Sequence, residues 1–448
     1  MTAVAADRIT SAEQALRVAA ALAAEFTEGA AERDRERRLP HAEVDRLAAS
    51  GLLAVTVPAE YGGADLPPGA VAEVVRVLAA ADPNIAQIPH SHFVYLNLLR
   101  LAGSHAQRQR HFSQVLDGAR IANAQSERGG ATVAEISTTV RPVGDRFRVD
   151  GIKYYCTGSL FADLLAVLTR LDDPDGASGL PAGEYVVYLP ADTPGVRIVD
   201  DWNGLGQRTT GSGTVEFDGV VVDRDQLVAR AGAVNAPTGY GAFAQLLHAA
   251  IDTGIARGAL SAATEFVRSK SRPWFEAGVS RAIDDPLLIQ RFGELSVAVS
   301  AAEATLTAAG VAVGAAVSEV PGSQVPSGRA ARSDSSASGD AADPGSRVAR
   351  HTTDSGPSAV DTVPVPNPIA SASLAVATAK VLADRAATDV SSALFEVSGT
   401  RSAAAELGLD HFWRNARTHT LHDPVRWKYQ HIGRAVLHDS APPLHGVI

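Results

Sequence analysis

The segment His411–Lys428 reads HFWRNARTHTLHDPVRWK. It gathers four basic residues (Arg414, Arg417, Arg426, Lys428), three histidines (His411, His419, His422) and two tryptophans (Trp413, Trp427). Asp423-Pro424 signals a helix start, with Asp as N-cap and Pro at the first helical position. His419 and His422 are then expected in a connector aimed at a helix N-terminus. The free N–H groups and partial positive charge there favour an anion and keep a nearby imidazole neutral. Such a histidine can exchange a proton with an oxygen that develops charge. The plain alternative is a solvated basic loop, and the density of titratable and aromatic residues argues for a site.

Working outward, the chain has 448 residues, enough for two or three domains. Forty basic against 50 acidic residues give a net charge of -10, which argues against general nucleic-acid affinity. A single cysteine, Cys156, excludes an internal disulfide framework and fits a reducing, cytoplasmic setting. The first residues, MTAVAADRITSAEQ, carry neither the basic region nor the apolar core of a signal peptide. Val297 to Val317 is Ala-rich and broken by Glu303, and reads as a buried bundle helix, not a membrane span.

Residues 1–120 carry helical periodicity, with Ser11 placed to cap the first helix and apolar spacing over Val71 to Ala81 and Phe93 to Leu101. Pro89 interrupts the pattern and sets His90 and His92 at a helix start. From 121 the period changes. Phe147 to Tyr155 (with a turn expected at Asp150-Gly151), Leu164 to Thr169, Tyr185 to Leu189 and Thr214 to Val222 read as strands of an antiparallel β-domain over about 121–232. Gly204-Leu205-Gly206 leads into a strand, so it is a tight turn and not a dinucleotide loop. Helical period returns over 233–448: Ala242 to Ser269, then Asp285-Pro286 to about Ser318, then Ile369 to Phe395, ending at Ser398-Gly399. Residues 319–366 are rich in Ser, Gly, Pro and Asp, and are expected to be a disordered insertion between two helices of one bundle. The fold class is α+β: helical domain, β-domain, helical bundle.

In its order and motifs the chain resembles the acyl-CoA dehydrogenase fold, with a middle β-barrel and a C-terminal four-helix bundle. Within it, the motifs look like the flavin-dependent monooxygenases of the dibenzothiophene monooxygenase and sulfur-acquisition type. The resemblance rests on Asn123 to Arg128 (NAQSER), Lys153 to Gly158 (KYYCTG), Asp201-Trp202 with Gly206 to Thr210, Ser271 to Trp274, Gly399-Thr400-Arg401 and, most specifically, Trp413 to Pro424. It implies reduced FMN (FMNH2) as cosubstrate, delivered by a separate NAD(P)H:FMN reductase. Molecular oxygen then adds at flavin C4a, and the hydroperoxide so formed oxygenates an organosulfur compound. It further implies a homotetramer packed through the C-terminal bundles. No metal, nucleic acid or membrane is implied.

The resemblance also assigns residues. Asn123 and the backbone of Ala124, Gln125, Ser126, Glu127 and Arg128 would hydrogen-bond the isoalloxazine edge. Lys153, Tyr154, Tyr155, Cys156 and Thr157 would flank it, with the Thr157 hydroxyl near N5 and C4a, where the family usually has serine. Arg272, Thr400 and Arg401 match positions that hold the phosphate and pyrimidine side. Trp202 and Ser91 fall at substrate positions, Ser91 standing where relatives show tyrosine. His422 would protonate the peroxide and touch the flavin, with His419 and His92 as further polar members, and Gln87 occupies the place of another family histidine.

Two other readings stand beside this one. A true acyl-CoA dehydrogenase would bind FAD between subunits and need a carboxylate base. Glu396 precedes Gly399-Thr400 but lies on a helix within reach of Arg401. Tight copurified FAD would mark that reading. A non-catalytic flavin-binding protein would keep the fold and yield only uncoupled peroxide.

Overall fold

The computed structural model describes residues 6–318 and 367–445, so the expected insertion at 319–366 lies outside the described residues. Seven helices come first: α1 (Ala12–Thr27), α2 (Ala30–Glu36), α3 (His41–Ala49), α4 (Pro68–Ala81), α5 (Pro83–Gln87), α6 (His90–Ala102) and α7 (His105–Leu116). Local chemistry sets their ends. The Ser11 hydroxyl accepts from Gln14 N–H, and Asp82 caps α5 through Asn84 and Ile85 N–H, with Pro83 at the first helical position. α5 is only five residues long, so Ile88 and Pro89 form a corner that aims the start of α6 inward, and His90, Ser91 and His92 are all buried.

Eight strands follow: β1 (Ile121–Ala124), β2 (Thr139–Val143), β3 (Arg146–Lys153), β4 (Leu164–Leu171), β5 (Glu184–Pro190), β6 (Val196–Val199), β7 (Thr214–Val222) and β8 (Leu227–Ala229). They form one sheet in the order β6-β7-β3-β2-β4-β5-β8, with β1 on β4. Most pairs are antiparallel as expected, but β1 and β2 both run parallel to β4. Instead of the turn expected at Asp150-Gly151, β3 runs straight through, and opposite Asp150 β7 bulges by one residue at Asp218-Gly219. Asp150 accepts Gly219 N–H across it at 2.9 Å, so the extra residue is absorbed without reversing the chain.

The last layer holds α8 (Ala231–Val234), α9 (Tyr240–Ser269), α10 (Pro286–Ser318), α11 (Pro368–Ser398), α12 (Asp410–His419) and α13 (Arg426–His438). α9 is the central rod, packed along α11 and against α4. One apolar core joins the N-terminal helices to this bundle, and a second fills the sheet. α10 departs from expectation. It buries one stripe (Leu295, Val299, Ala302, Leu306, Ala309, Val313, Ala316) and exposes Leu287, Ile289, Val297 and Val311. Among the described residues it is the helix long and apolar enough to cross a membrane, yet its inner stripe packs on α11, α4 and α9. The Asp423 cap is also displaced. α13 begins at Arg426, and Asp423 is buried against Lys428 Nζ at 2.8 Å, because a buried carboxylate needs a cation more than an exposed helix end needs a cap.

The loop between β6 and β7 carries the sheet to the bundle. Gly206 N–H donates to Thr418 Oγ1 (2.8 Å), Gln207 N–H to Asn415 Oδ1 (2.6 Å), and Thr209 N–H to Asn84 Oδ1 (3.2 Å). A methyl at Gly206 would collide with the Arg414 carbonyl. Gly206→Ala is therefore expected to cost about 1–3 kcal/mol, as overpacking does, and to loosen α12 from the sheet. Chemical unfolding with limited proteolysis of 202–212 checks this; wild-type stability and protection would contradict it.

Candidate active site

Six elements meet at one corner: the α5–α6 junction, β1, the loop after β3, the 202–213 loop, and the facing parts of α9 and α12. The centre is a cluster of imidazoles. His419, the last residue of α12, is buried; its Nδ1 lies 2.7 Å from Asp252 Oδ1 and its Nε2 lies 3.1 Å from His248 Nδ1. His248 stacks on His90 with ring centroids 3.8 Å apart, and its ring lies 3.9 Å from that of His422. The His422 side chain, in the turn after α12, is 46% exposed and so sits at the mouth of the cluster. Behind Asp252, Lys380 Nζ lies 3.1 Å from its second oxygen and also pairs with Asp384.

Burial, not a helix pole, keeps these rings neutral. Desolvation pushes His90 down to about 3, with the charge of His422 adding to it. Desolvation likewise drives His248 and His419 well below the ordinary histidine range, helped by the neighbouring rings and Lys380. Two carboxylates face one ammonium. Burial lifts both, and Asp384 is pushed up to about 8. Both Asp252 oxygens accept from donors, whereas Asp384 Oδ2 has no hydrogen-bond partner, so the extra proton belongs on Asp384. Burial opposes the Lys380 charge, but the two carboxylates outweigh it and raise its pKa.

The expected flavin-edge residues divide in two. Asn123 lies on β1 with its Oδ1 buried and unpartnered by protein, an acceptor suited to a flavin N3–H. Gln87 and Gln245 Oε1, on α5 and α9, are also buried and unpartnered. Thr157 Oγ1 bonds Ser212 Oγ at 2.8 Å, at the end of the 202–213 loop. Trp202 donates to the Gln207 carbonyl (2.6 Å) and meets the Tyr155 ring edge-on at 6.1 Å. Tyr155, half-exposed with φ 58°, and Tyr154 both lie under the Arg128 guanidinium. These residues fit an aromatic, hydrogen-bonding group such as the isoalloxazine of FMN.

The others are engaged elsewhere. Lys153 is buried with its Nζ on the Gln125 carbonyl (3.1 Å) and Glu127 Oε1 (2.6 Å). Glu127 also accepts from Ser137 and Thr138, and although burial would raise it, these donors hold it down to about 2. Gln125 Oε1 accepts from Tyr95. Ser126 offers its carbonyl to Tyr154 N–H. Ala124 and Cys156 lie in the sheet core, and burial pushes the Cys156 thiol up to about 12. The Lys153, Glu127 and Cys156 side chains are thus taken up by the sheet itself, which leaves the backbone of 124–128 as the part of this motif that could meet a flavin. His92 is a correction too. Its Nε2 bonds the Leu53 carbonyl (2.8 Å) and its Nδ1 accepts Ile121 N–H (3.1 Å), so both nitrogens pin α6 to its neighbours and none remains for chemistry. Burial holds it down to about 4. Ser91 is buried beside it on α6.

Arg272, Thr400 and Arg401 are exposed at the far end of α9, where Arg401 donates to the Lys270 carbonyl at 2.7 Å. His248 and Lys270 are separated by about 33 Å at 1.5 Å per residue. Within one chain these groups do not join the imidazole corner. His90 falls at the helix start where the sequence put it, while His248, Asp252, Lys380 and Asp384 were missed. Their signal was present as spacing: Gln245, His248 and Asp252 share a face of an otherwise apolar helix, and Lys380 and Asp384 are one turn apart.

Comparison with known proteins places this corner in context. Residues 10–119, 122–220, and 246–343 with 365–427 match the N-terminal, middle and C-terminal domain models of acyl-CoA dehydrogenase. The chain is 32% identical to a dibenzothiophene monooxygenase of Rhodococcus qingshengii over 95% of this chain and 93% of that one. It is 30% identical to a probable FMNH2-dependent monooxygenase, SfnC, of Pseudomonas putida over 97% of each. The crystal structure of FMN-bound TdsC from Paenibacillus sp. A11-2 superposes with a TM-score of 0.82 at 31% identity, covering 97% of this chain and 100% of that one. The methanesulfinate monooxygenase MsuC from Pseudomonas fluorescens superposes with a TM-score of 0.80 at 29% identity, covering 97% and 99%.

The buried rings make stability pH-dependent. His90, His92, His248 and His419 are held below their unfolded pKa of about 6.5. Their contribution is complete above that pH and is lost as pH falls toward 4 and 3. Asp384 acts oppositely, since its folded form keeps a proton up to about 8. Stability is expected to peak near pH 6.5. Below pH 6 it should fall steadily, because the unfolded histidines take up protons that the folded rings refuse. Guanidinium unfolding between pH 7.5 and 4.5 measures this; a flat profile would contradict it.

Proposed function

We propose, from the acyl-CoA dehydrogenase family and the flavin-dependent monooxygenase branch of it to which the chain belongs, that this protein uses reduced FMN and dioxygen to oxygenate a small organosulfur compound. The observation that carries the reading is His422, half-exposed at the mouth of a buried imidazole cluster and beside a corner with an unpartnered Asn123 oxygen. Reduced FMN, when bound, supplies the two electrons and the carbon centre at which dioxygen is activated. A separate flavin reductase delivers it.

The chain supplies orientation and protons. Asn123 Oδ1 would accept from the flavin ring edge, and the Thr157 hydroxyl, bonded to Ser212, would offer the ring a second polar contact. Trp202 and Tyr155 form an aromatic wall that suits an apolar sulfur compound. His422, the exposed imidazole of the cluster, would act as the proton donor to the developing oxygen charge. Arg272 and Arg401 would hold the phosphate of FMN bound to a second copy, which accounts for their distance from this corner. The apolar outer face of α10 supports an assembly, read as a homotetramer, working in the cytoplasm.

The acyl-CoA dehydrogenase chemistry loses its base here. Glu396 is 60% exposed and pairs with Arg291, not Arg401, and it lies about 24 Å along α11 from Lys380. Purified protein with FMN, NADH, a flavin reductase and a panel of sulfides, sulfoxides, sulfones, sulfinates and thiophenes should yield an oxygenated product by mass spectrometry. His422→Ala should keep FMN affinity within a few-fold and cut product formation roughly 10²–10⁴-fold. Wild-type turnover in that variant removes His422 from the mechanism. Arg401→Ala should instead weaken FMN binding by about 1.5–3 kcal/mol, as loss of a charged hydrogen bond does; unchanged affinity in a titration would contradict the phosphate role.

A further inference from the structure

We infer that Asp423 is the positioning residue for His422: its buried carboxylate holds the Nδ1 proton of that ring, so that Nε2 is the atom that delivers protons at the mouth of the site. The inference rests on the monooxygenase reading above.

The pair is built within one turn. His422 N–H donates to the His419 carbonyl at 3.0 Å, which ties the residue to the end of α12. Asp423, next in the chain, is turned inward instead of capping α13. Its Oδ2 lies 2.8 Å from Lys428 Nζ, and Lys428 is itself buried on α13. Its Oδ1 is buried, has no hydrogen-bond partner among the described residues, and lies 3.8 Å from His422 Nδ1. Burial opposes the Asp423 charge, but His422, Lys428 and Lys380 outweigh it and keep its pKa below the ordinary carboxylate range. A buried carboxylate oxygen calls for a donor. At 3.8 Å the two groups form an ion pair and not yet a hydrogen bond, and a modest turn of the half-exposed ring closes the gap.

The neighbouring imidazoles do a different job. The His248 and His90 rings lie 3.9 Å and 6.3 Å from that of His422, centroid to centroid. They pack around it, whereas Asp423 addresses one of its nitrogens.

The reaction consumes one proton. With reduced flavin as the monoanion, FMNH⁻, dioxygen, the sulfur compound and one proton give oxidised FMN, the S-oxygenated product and water. One oxygen atom forms the S–O bond as the O–O bond breaks. The other leaves as water with the flavin proton and the proton from His422. The half-exposed ring recovers its proton from solvent. To release a proton from Nε2 and remain a neutral imidazole, the ring must keep its other proton on Nδ1. A carboxylate at Nδ1 fixes that tautomer and the direction of the ring. An amide in its place would keep an oxygen for Lys428 but point N–H groups at Nδ1, which strands the proton on Nε2.

Asp423→Asn is therefore expected to fold. FMN affinity and the KM for the sulfur compound should stay within about three-fold, while kcat for product falls about 100-fold, the low end for a proton-transfer group. In the His422→Ala background the same substitution should lower kcat no further, because the two residues act as one unit. Histidine ¹⁵N spectra should place the neutral-form proton of His422 on Nδ1 in the wild type and on Nε2 in Asp423→Asn. The wild-type spectrum tests the inference without any variant: a neutral-form proton on Nε2 would overturn it. Wild-type kcat in Asp423→Asn, or losses that add in the double variant, would do the same. So would loss of FMN binding in step with kcat, which marks a structural role. If the wild type makes no product from any sulfur compound, the monooxygenase reading falls and takes this inference with it. An active wild type with an unaffected Asp423→Asn sinks the inference alone.

Discussion

One carboxylate governs this corner of the molecule. Asp252 is fully buried on α9, and a charge taken out of water persists only where donors replace the lost hydration. Lys380 from α11 and His419 from α12 are those donors. Three helices are thereby tied at a single point, and the tautomer of each imidazole beyond it follows from the first. Removing any partner would leave a buried charge exposed to its neighbours, which makes the arrangement specific as well as stable.

From that point the site divides its work by layer. The bundle side holds the Lys380–Asp252 ion pair and imidazoles that burial keeps neutral. The sheet side holds hydrogen-bonding and aromatic groups: Asn123, Thr157, Trp202 and Tyr155. The 202–213 loop joins the two by donating backbone N–H groups to Asn415 and Thr418 of α12. The relation between proton supply and the flavin edge is thus carried by main-chain hydrogen bonds, which tolerate little displacement.

Much of the fold was legible because local chemistry sets element ends. Ser11, Asp285 and Ser398-Gly399 mark helix termini within a residue of where they fall. His419 and His422 were legible as a dense, specific motif. What failed was what only tertiary contact decides. Asp423 has the right neighbours for a cap, but Lys428 takes it inside. His92 and His248 are equally plausible histidines in sequence, yet backbone groups consume both nitrogens of His92, and His248 alone faces the cluster. Lys153, Glu127 and Cys156 sit in a flavin-like motif but are spent on the sheet itself. Arg272 and Arg401 share the family motif while lying a helix length away, a separation that linear order conceals.

The arrangement around Asp252 depends on the protonation states of His248 and His419. Histidine-selective ¹⁵N labelling, or neutron diffraction, reads them directly at pH 7. Both rings are expected neutral with the proton on Nδ1, and Asp252→Asn should disturb both together. An imidazolium at either position, or a proton on Nε2 of His419, would contradict the hydrogen-bond arrangement around Asp252.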